Sequence, residues 1–368
     1  MEADPKLTAL QKCITNRLDI SAIGERRVAG VIGDAPSHYS KSPELWNAAF
    51  RMLGMNAIYL PLDVQRNRLG DLMTALRASE RVLGVNVTVP HKLKTIDYLD
   101  GLDPNAAHIQ AVNTIVRTQD GRLVGYNTDG EGFIDSILKP QPGAQTSFIE
   151  SLADIDVLVL GAGGSARAVA WHTAQLLGVG EILICNRTFE SAAALAAEIR
   201  ARGWPARAVP EAELSTWAPR VGLIINSTTK GQGGLRSLEN GTAITAEPYS
   251  ALAPAQPIAG TIGKTDSGDI TGKASQAEVQ RNNEASMKLA ASIPKNVRFY
   301  DLIYFPEETV FLRHGRLTGH PTMNGKGMII NQAVIAFCKR ICRAELHARG
   351  IDNPETYRRI LEIMYRAW

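Results

Sequence analysis

A strand that stops at a glycine turn and resumes as a helix leaves a chain few folds, and residues 156–178, DVLVLGAGGSARAVAWHTAQLLG, follow that order. Four consecutive apolar residues at 157–160 mark a strand buried on both faces, as in a parallel sheet covered by helices. Gly161, Ala162, Gly163, Gly164, Ser165 and Ala166 then bring small side chains to the turn and the first helical residues. Backbone N–H groups there can face a pyrophosphate, and Ala166 takes the third small position of a G-x-G-x-x-G/A fingerprint. A tight strand-to-helix turn with no ligand is the plain alternative. EILICNRTFESAAALAAEIRARG at 181–203 repeats strand and helix, and VGLIINSTT at 221–229 supplies a further buried strand. This βαβαβ series is the arrangement of a dinucleotide-binding domain.

The second strand ends at Asn186, Arg187 and Thr188, where such a domain places its ribose reader. An acidic side chain there grips a 2′-hydroxyl, whereas the guanidinium of Arg187 suits a 2′-phosphate, which favours NADP over NAD. The alternative for Arg187 is a solvated surface arginine.

With 368 residues, 45% of them hydrophobic, the chain supports two domains of ordinary size. Its first half also alternates. A strand at 27–34 is followed by a loop and a helix start at Ser42–Pro43, where serine can cap and proline is tolerated in the first turn. A strand at 57–64, a helix near 68–79 and a strand at 82–89 continue the pattern, and Asp120–Gly121 marks a hairpin. The expected class is α/β in two domains, an N-terminal substrate domain and a Rossmann-type dinucleotide domain with a deep cleft between them. Residues 1–27 read as an N-terminal extension and 28–139 plus 327–368 as a discontinuous substrate domain. Residues 148–326 read as the dinucleotide domain, with a long insertion or lid at about 232–295 and a helix within it near 276–291.

Composition narrows the partner. Forty Lys plus Arg against 37 Asp plus Glu give a net charge of only +3, and no basic run interleaves with aromatics as in a nucleic-acid tract. Cys13, Cys185, Cys338 and Cys342 lack any paired metal spacing and read as reduced core thiols, and no stretch is apolar enough for a signal or a membrane span. A small-molecule substrate, no metal and a cytoplasmic location are expected.

A nicotinamide needs an alcohol or carbonyl beside it and a group to move the accompanying proton. Ser40 and Ser42 flank Lys41, Asn86 and Thr88 share a strand face, Lys92 follows Pro90, Asn113 lies in the hairpin region and Asp129 in NTDG. Each has a bland reading: a helix cap for Ser42, exposed strand positions for Asn86 and Thr88, a turn former for Asp129, a solvated lysine for Lys92. Together they lie near the ends of α/β strands, where ligand crevices form.

These residues resemble the shikimate dehydrogenase family over about 28–339, in order. HYSKSP is similar to its Ser-x-Ser-Pro loop, NVTVPHK to its lysine strand, AVNT and GYNTDGEGF to its asparagine and aspartate signatures. VLGAGGSARA, NRT, YDLIYFPEET and NGKGMIINQA match its remaining segments. The resemblance implies that Ser40, Ser42 and Tyr304 bind a substrate carboxylate, that Asn86, Thr88, Asn113, Asp129 and Gln332 hold ring hydroxyls, and that Lys92 and Asp129 form the catalytic pair. Leu302, Gly325 and Met328 would line the nicotinamide pocket, and the strand ending at Pro90 would mount the lysine. The implied reaction is NADPH-dependent reduction of 3-dehydroshikimate to shikimate, by a monomer or homodimer. Quinate oxidation with NAD or NADP and non-catalytic metabolite sensing are the alternatives. The chain differs from the family pattern at Gln110, where glycine is usual, at Lys326, and at Lys230, whose charge would lie near the cofactor. Phe189, Glu190 and Ser191 stand where a second basic residue often follows, leaving Arg187 alone to discriminate.

Overall fold

Buried strand residues build two separate sheets in the computed structural model, which describes residues 5–237, 243–246, 249–255 and 273–368. The chain divides into one unit of Met1–Ser147 with Gly327–Trp368 and another of Phe148–Lys326.

The first unit holds β1 (Arg27–Gly33), β2 (Ala57–Asp63), β3 (Val82–Val87), β4 (Gly101–Leu102), β5 (Thr114–Arg117) and β6 (Leu123–Tyr126). They form one sheet in the order β2-β1-β3-β5-β6-β4. β1 is parallel to β2 and β3, and the hairpin strands β5 and β6 run antiparallel to their neighbours β3 and β5. Apolar side chains cover both faces, so the sheet is the middle of three layers. On one face Leu7, Leu10, Leu72 and Met73 meet Val28, Ile32, Val85 and Val87. On the other, Trp46 and Phe50 of the helix Ser42–Met52 meet Phe337, Ile360 and Met364 near the C-terminus.

Two expectations change here. Residues 5–23 are core rather than an extension: Leu7, Leu10 and Ile23 are buried in the first cluster. Each such side chain stabilises the unit by roughly 1.5–3 kcal/mol, which a solvated lead-in would not do. β3 stops at Val87, short of the expected 89, because the chain turns away before Pro90, which has no N–H for a ladder. The Val89–Pro90 peptide bond is cis.

The outer edge of β2 is not left open. Asn47 donates to the Tyr59 carbonyl at 3.0 Å and accepts from the Tyr59 N–H at 2.9 Å. Asn16 does the same for the Pro61 carbonyl and the Asp63 N–H.

The second unit holds β7 (Val157–Leu160), β8 (Ile182–Cys185), β9 (Ala206–Val209), β10 (Leu223–Asn226), β11 (Gly233–Ser237), β12 (Ala243–Ala246), β13 (Arg298–Asp301) and β14 (Thr322–Met323). Six of them form a parallel sheet in the order β14-β13-β10-β7-β8-β9, while β11 and β12 pair with each other. Counted along the chain this is the 3-2-1-4-5-6 order of the doubly wound dinucleotide fold, whose order reverses at β7.

The helix expected near 276–291 spans Lys273–Ser292. Its Ala290, with Ala251, Leu252 and Ile293, packs among Leu158, Ile224, Phe299 and Phe311, so these four residues of the expected insertion belong to the core. Residues 238–242, 247–248 and 256–272 of that insertion lie outside the described residues. Lys230 does not bring a loose charge to the glycine turn: its ammonium pairs with Glu211 at 2.9 Å and donates to the Ala253 carbonyl at 3.0 Å. Among the described residues no helix is long and apolar enough to cross a membrane. All four cysteines are free and buried, and burial pushes the Cys185 thiol up to about 12.

Candidate active site

Strand ends bring the polar residues of the first unit together. Ser40 and Ser42 follow β1, Lys92 follows β3, Asn113 precedes β5, and Asp129 opens the helix Asp129–Leu138 after β6. Lys92 Nζ lies 2.5 Å from Asp129 Oδ2, with the lysine side chain 15% and the aspartate 4% exposed. Asp129 Oδ1 accepts from Asn113 Nδ2 at 2.8 Å. One carboxylate therefore has a cation on one oxygen and an amide on the other, which fixes its rotation.

Lys92 stands on a turn, not on the strand expected to mount it. The turn is stiff all the same. His91 is buried and its Nε2 meets the Val64 carbonyl at 2.8 Å, while burial lowers its basicity. The His91 carbonyl accepts from the Thr95 N–H and hydroxyl, and the Lys92 carbonyl accepts from the Val112 N–H.

Asn113 is fully committed. Its amide donates to Asp129, to Thr128 Oγ1 at 3.0 Å and to Gln332 Oε1 at 3.3 Å. Its oxygen accepts from the Thr114 hydroxyl and the Thr128 N–H. Gln332 can come this close because Gly132 faces it: a Cβ on Gly132 would lie 2.5 Å from the Gln332 nitrogen.

Asn86, opposite Thr114 in the ladder, donates to the Thr114 hydroxyl at 3.0 Å and accepts from the Tyr59 phenol at 2.7 Å. Tyr59 also contacts the Ser42 side chain, and burial pushes its phenol well above the usual range. Ser42 is not the helix cap it might have been: Ser40 Oγ instead accepts the Ser42 N–H at 3.2 Å. Thr88 lies just past β3, half-buried, with its methyl against Gly33, where no Cβ would fit.

The structure thus connects Asn86, Asn113, Asp129, Lys92 and Gln332 by hydrogen bonds, while Ser40 and Ser42 bond to each other. Tyr59, Thr114 and Thr128 belong to the same web and were missed. The signal for Tyr59 was its phase in 57–64, which puts a polar-tipped aromatic on the inward face; Thr114 and Thr128 sit beside residues already singled out. Met328 is buried in this unit.

Tyr304, Leu302 and Gly325 belong to the second unit. Gly325 must be glycine, because a Cβ would fall 2.0 Å from the Leu302 carbonyl oxygen. The loop that carries Leu302 and Tyr304 is held by Asp301, which is fully buried and accepts from Asn226 Nδ2, the Ile303 N–H and the Thr309 hydroxyl. Desolvation raises its pKa to about 7.

The glycine turn has the shape a pyrophosphate requires. Gly161 has φ +117 and a Cβ there would meet the Ser227 carbonyl at 3.0 Å, so only glycine makes the bend. Beyond Gly163, where the helix Gly164–Ala174 begins, a Cβ would meet nothing within 4 Å. That open space lies at the positive helix end, with Ala162 and Ser165 half-buried beside it and Ala166 buried against the sheet. Asn186 Nδ2 donates to the Thr188 carbonyl and shapes the next turn, and Arg187 there is exposed, without an ion-pair partner among the described residues.

Comparison with known proteins agrees with this geometry. Residues 31–115 match the family model of the shikimate dehydrogenase substrate binding domain, and 144–242 that of shikimate/quinate 5-dehydrogenase. The shikimate dehydrogenase (NADP(+)) of Symbiobacterium thermophilum is 34% identical over 318 residues, 85% of this chain and 88% of its own. Two crystal structures are similar. Shikimate 5-dehydrogenase of Thermus thermophilus in complex with NADP(H) and shikimate has TM-score 0.62 and 27% identity over 93% of this chain and 99% of its own. Shikimate 5-dehydrogenase of Listeria monocytogenes in complex with shikimate and NAD has TM-score 0.63 and 26% identity over 88% and 93%. With the fold order, the paired lysine and aspartate, and relatives at this identity over most of its length, the chain belongs to the shikimate dehydrogenase family.

Proposed function

We propose that the chain catalyses the reversible, NADPH-dependent reduction of 3-dehydroshikimate to shikimate. The observation that carries this reading is the Lys92–Asp129 pair, a proton donor held by a carboxylate that Asn113 holds in turn. Bound NADPH supplies the hydride. The Lys92 ammonium gives its proton to the C3 oxygen as the ketone becomes an alcohol, and takes one back in the oxidative direction. Asp129 aims the ammonium and accepts from the neighbouring ring hydroxyl.

Ser40, Ser42 and Tyr304 bind the carboxylate by hydroxyl donation, and Asn86, Thr88 and Gln332 hold ring hydroxyls. Asn113, whose groups are already spent, acts on the substrate through Asp129. Residues 161–166 take the pyrophosphate, Asn186, Arg187 and Thr188 the adenosine ribose and its 2′-phosphate, and Leu302, Gly325 and Met328 the nicotinamide. A cytoplasmic location fits four buried thiols.

The test is absorbance at 340 nm with shikimate or quinate crossed with NADP or NAD. Shikimate with NADP is expected to turn over fastest. Quinate faster than shikimate, or tight shikimate binding with no turnover, overturns the assignment. Shikimate oxidation should accelerate toward alkaline pH, because it needs a proton acceptor. A flat profile with chemistry rate-limiting removes Lys92 from that role.

A further inference from the structure

Tyr59 has no role in the chemistry proposed above, yet its contacts join two groups that do. It lies on β2 opposite Ala29 of β1, while Asn86 lies on β3 opposite Val31, so the phenol reaches across the middle strand on the face that Trp46 covers. Three contacts fix it there. Its ring stacks on Trp46 at 4.7 Å, and both its backbone groups are taken by Asn47. Trp46 and Asn47 belong to the helix that starts at Ser42, so one rigid element places Ser42 and clamps Tyr59.

The direction of each hydrogen bond can be worked out. A phenol has one proton, and Tyr59 donates it to Asn86 Oδ1 at 2.7 Å. Asn86, with its oxygen turned to Tyr59, points its N–H groups at the Thr114 hydroxyl and the Asn113 carbonyl. Thr114 donates to Asn113 Oδ1, and Asn113 donates to Asp129. Every step donates the same way, from Tyr59 to the carboxylate beside Lys92. Such aligned chains strengthen one another in a dry interior.

We propose that Tyr59 is a positioning residue for substrate binding, which fixes the orientation of the Asn86 amide. Asn86 has both N–H groups spent, so it meets a ring hydroxyl only through the remaining lone pair on Oδ1, as an acceptor. This rests on the shikimate reading of the same site.

The test is Tyr59→Phe, which keeps the ring on Trp46 and removes only the hydroxyl. Y59F is expected to raise KM for shikimate about 3- to 10-fold, the worth of one hydrogen bond, and to leave KM for NADP unchanged. In a double-mutant cycle with Asn86→Ala, Y59F adds little once Asn86 is gone. Thr114→Val, which removes one of the two acceptors of the Asn86 amide without touching Tyr59, should show the same KM split and serves if Y59F does not fold. An unchanged shikimate KM, an equal rise in both KM values, or strictly additive effects overturn the proposal. The Asn86 side-chain amide resonance, read by NMR without substrate, should move in Y59F. If wild-type enzyme does not oxidise shikimate but that resonance moves, the substrate assignment has failed and the orientation of Asn86 by Tyr59 stands; if it does not move, the positioning claim fails whatever the activity.

Discussion

Asp129 and Asp301 are both buried aspartates, one just past β6 and the other closing β13, one in each unit, and they live under opposite electrostatics. Asp129 faces an ammonium at 2.5 Å and an amide donor. Asp301 has three hydrogen-bond donors, the Asn226 amide, the Ile303 N–H and the Thr309 hydroxyl, and all of them are neutral. Hydrogen bonds alone do not offset the desolvation of a fully buried carboxylate, so its pKa climbs to about 7. The cation beside Asp129 makes the ion pair we propose for proton transfer; the neutral donors around Asp301 make a brace for the loop that carries Leu302 and Tyr304.

Removing the cation is the harshest way to break this contrast. Lys92→Ala is expected to lower kcat for shikimate oxidation by about 10²- to 10⁴-fold, whereas Asp301→Asn leaves the proton donor intact and moves kcat little. Steady-state rates for the two variants decide it, and equal losses would erase the distinction.

Stability against pH sharpens it next. A carboxyl whose folded pKa is raised binds its proton more tightly in the folded chain. Its destabilising effect is absent below the unfolded value near 4 and grows as pH rises through about 7. Denaturation midpoints should therefore fall between pH 4 and 7 in the wild type by an amount that D301N abolishes, on the order of a few kcal/mol. Equal pH slopes for the two proteins would remove the account of Asp301.

The smallest effect tests the close packing behind Asp129. Gly132→Ala places a methyl 2.5 Å from the Gln332 nitrogen and should cost about 1–3 kcal/mol while weakening shikimate binding. Chemical denaturation and KM together read it.

The dinucleotide half was legible because β7 and β8 are short, wholly apolar runs and β7 stops at a glycine turn, so the alternation of strand and helix follows from spacing. Lys92 and Asp129 stood out as residue types near strand ends, and the structure brings them together. The connections were not. Sequence shows that position 59 is a tyrosine facing inward; it does not show that the phenol crosses β1 to reach Asn86. The end of β3 was misread because Val87 and Val89 keep the alternation after the ladder has stopped. The lead-in was misread because Leu7 and Leu10 are sparse among polar residues, and their burial depends on a partner helix far along the chain. Gln110 adopts φ 56, which explains the glycine usual there, but nothing near it in sequence announces the left-handed turn.

Asn16 and Asn47 carry one more consequence. A border strand with unmet peptide groups invites a stranger's backbone to zip alongside it, the first step of many fibrils. Here two side-chain amides impersonate that missing neighbour at 59, 61 and 63, so a newcomer would have to evict them before docking. The same amide that seals this margin at 59 also anchors the residue whose phenol holds Asn86, which ties guarding against misassembly to the orientation of that buried amide.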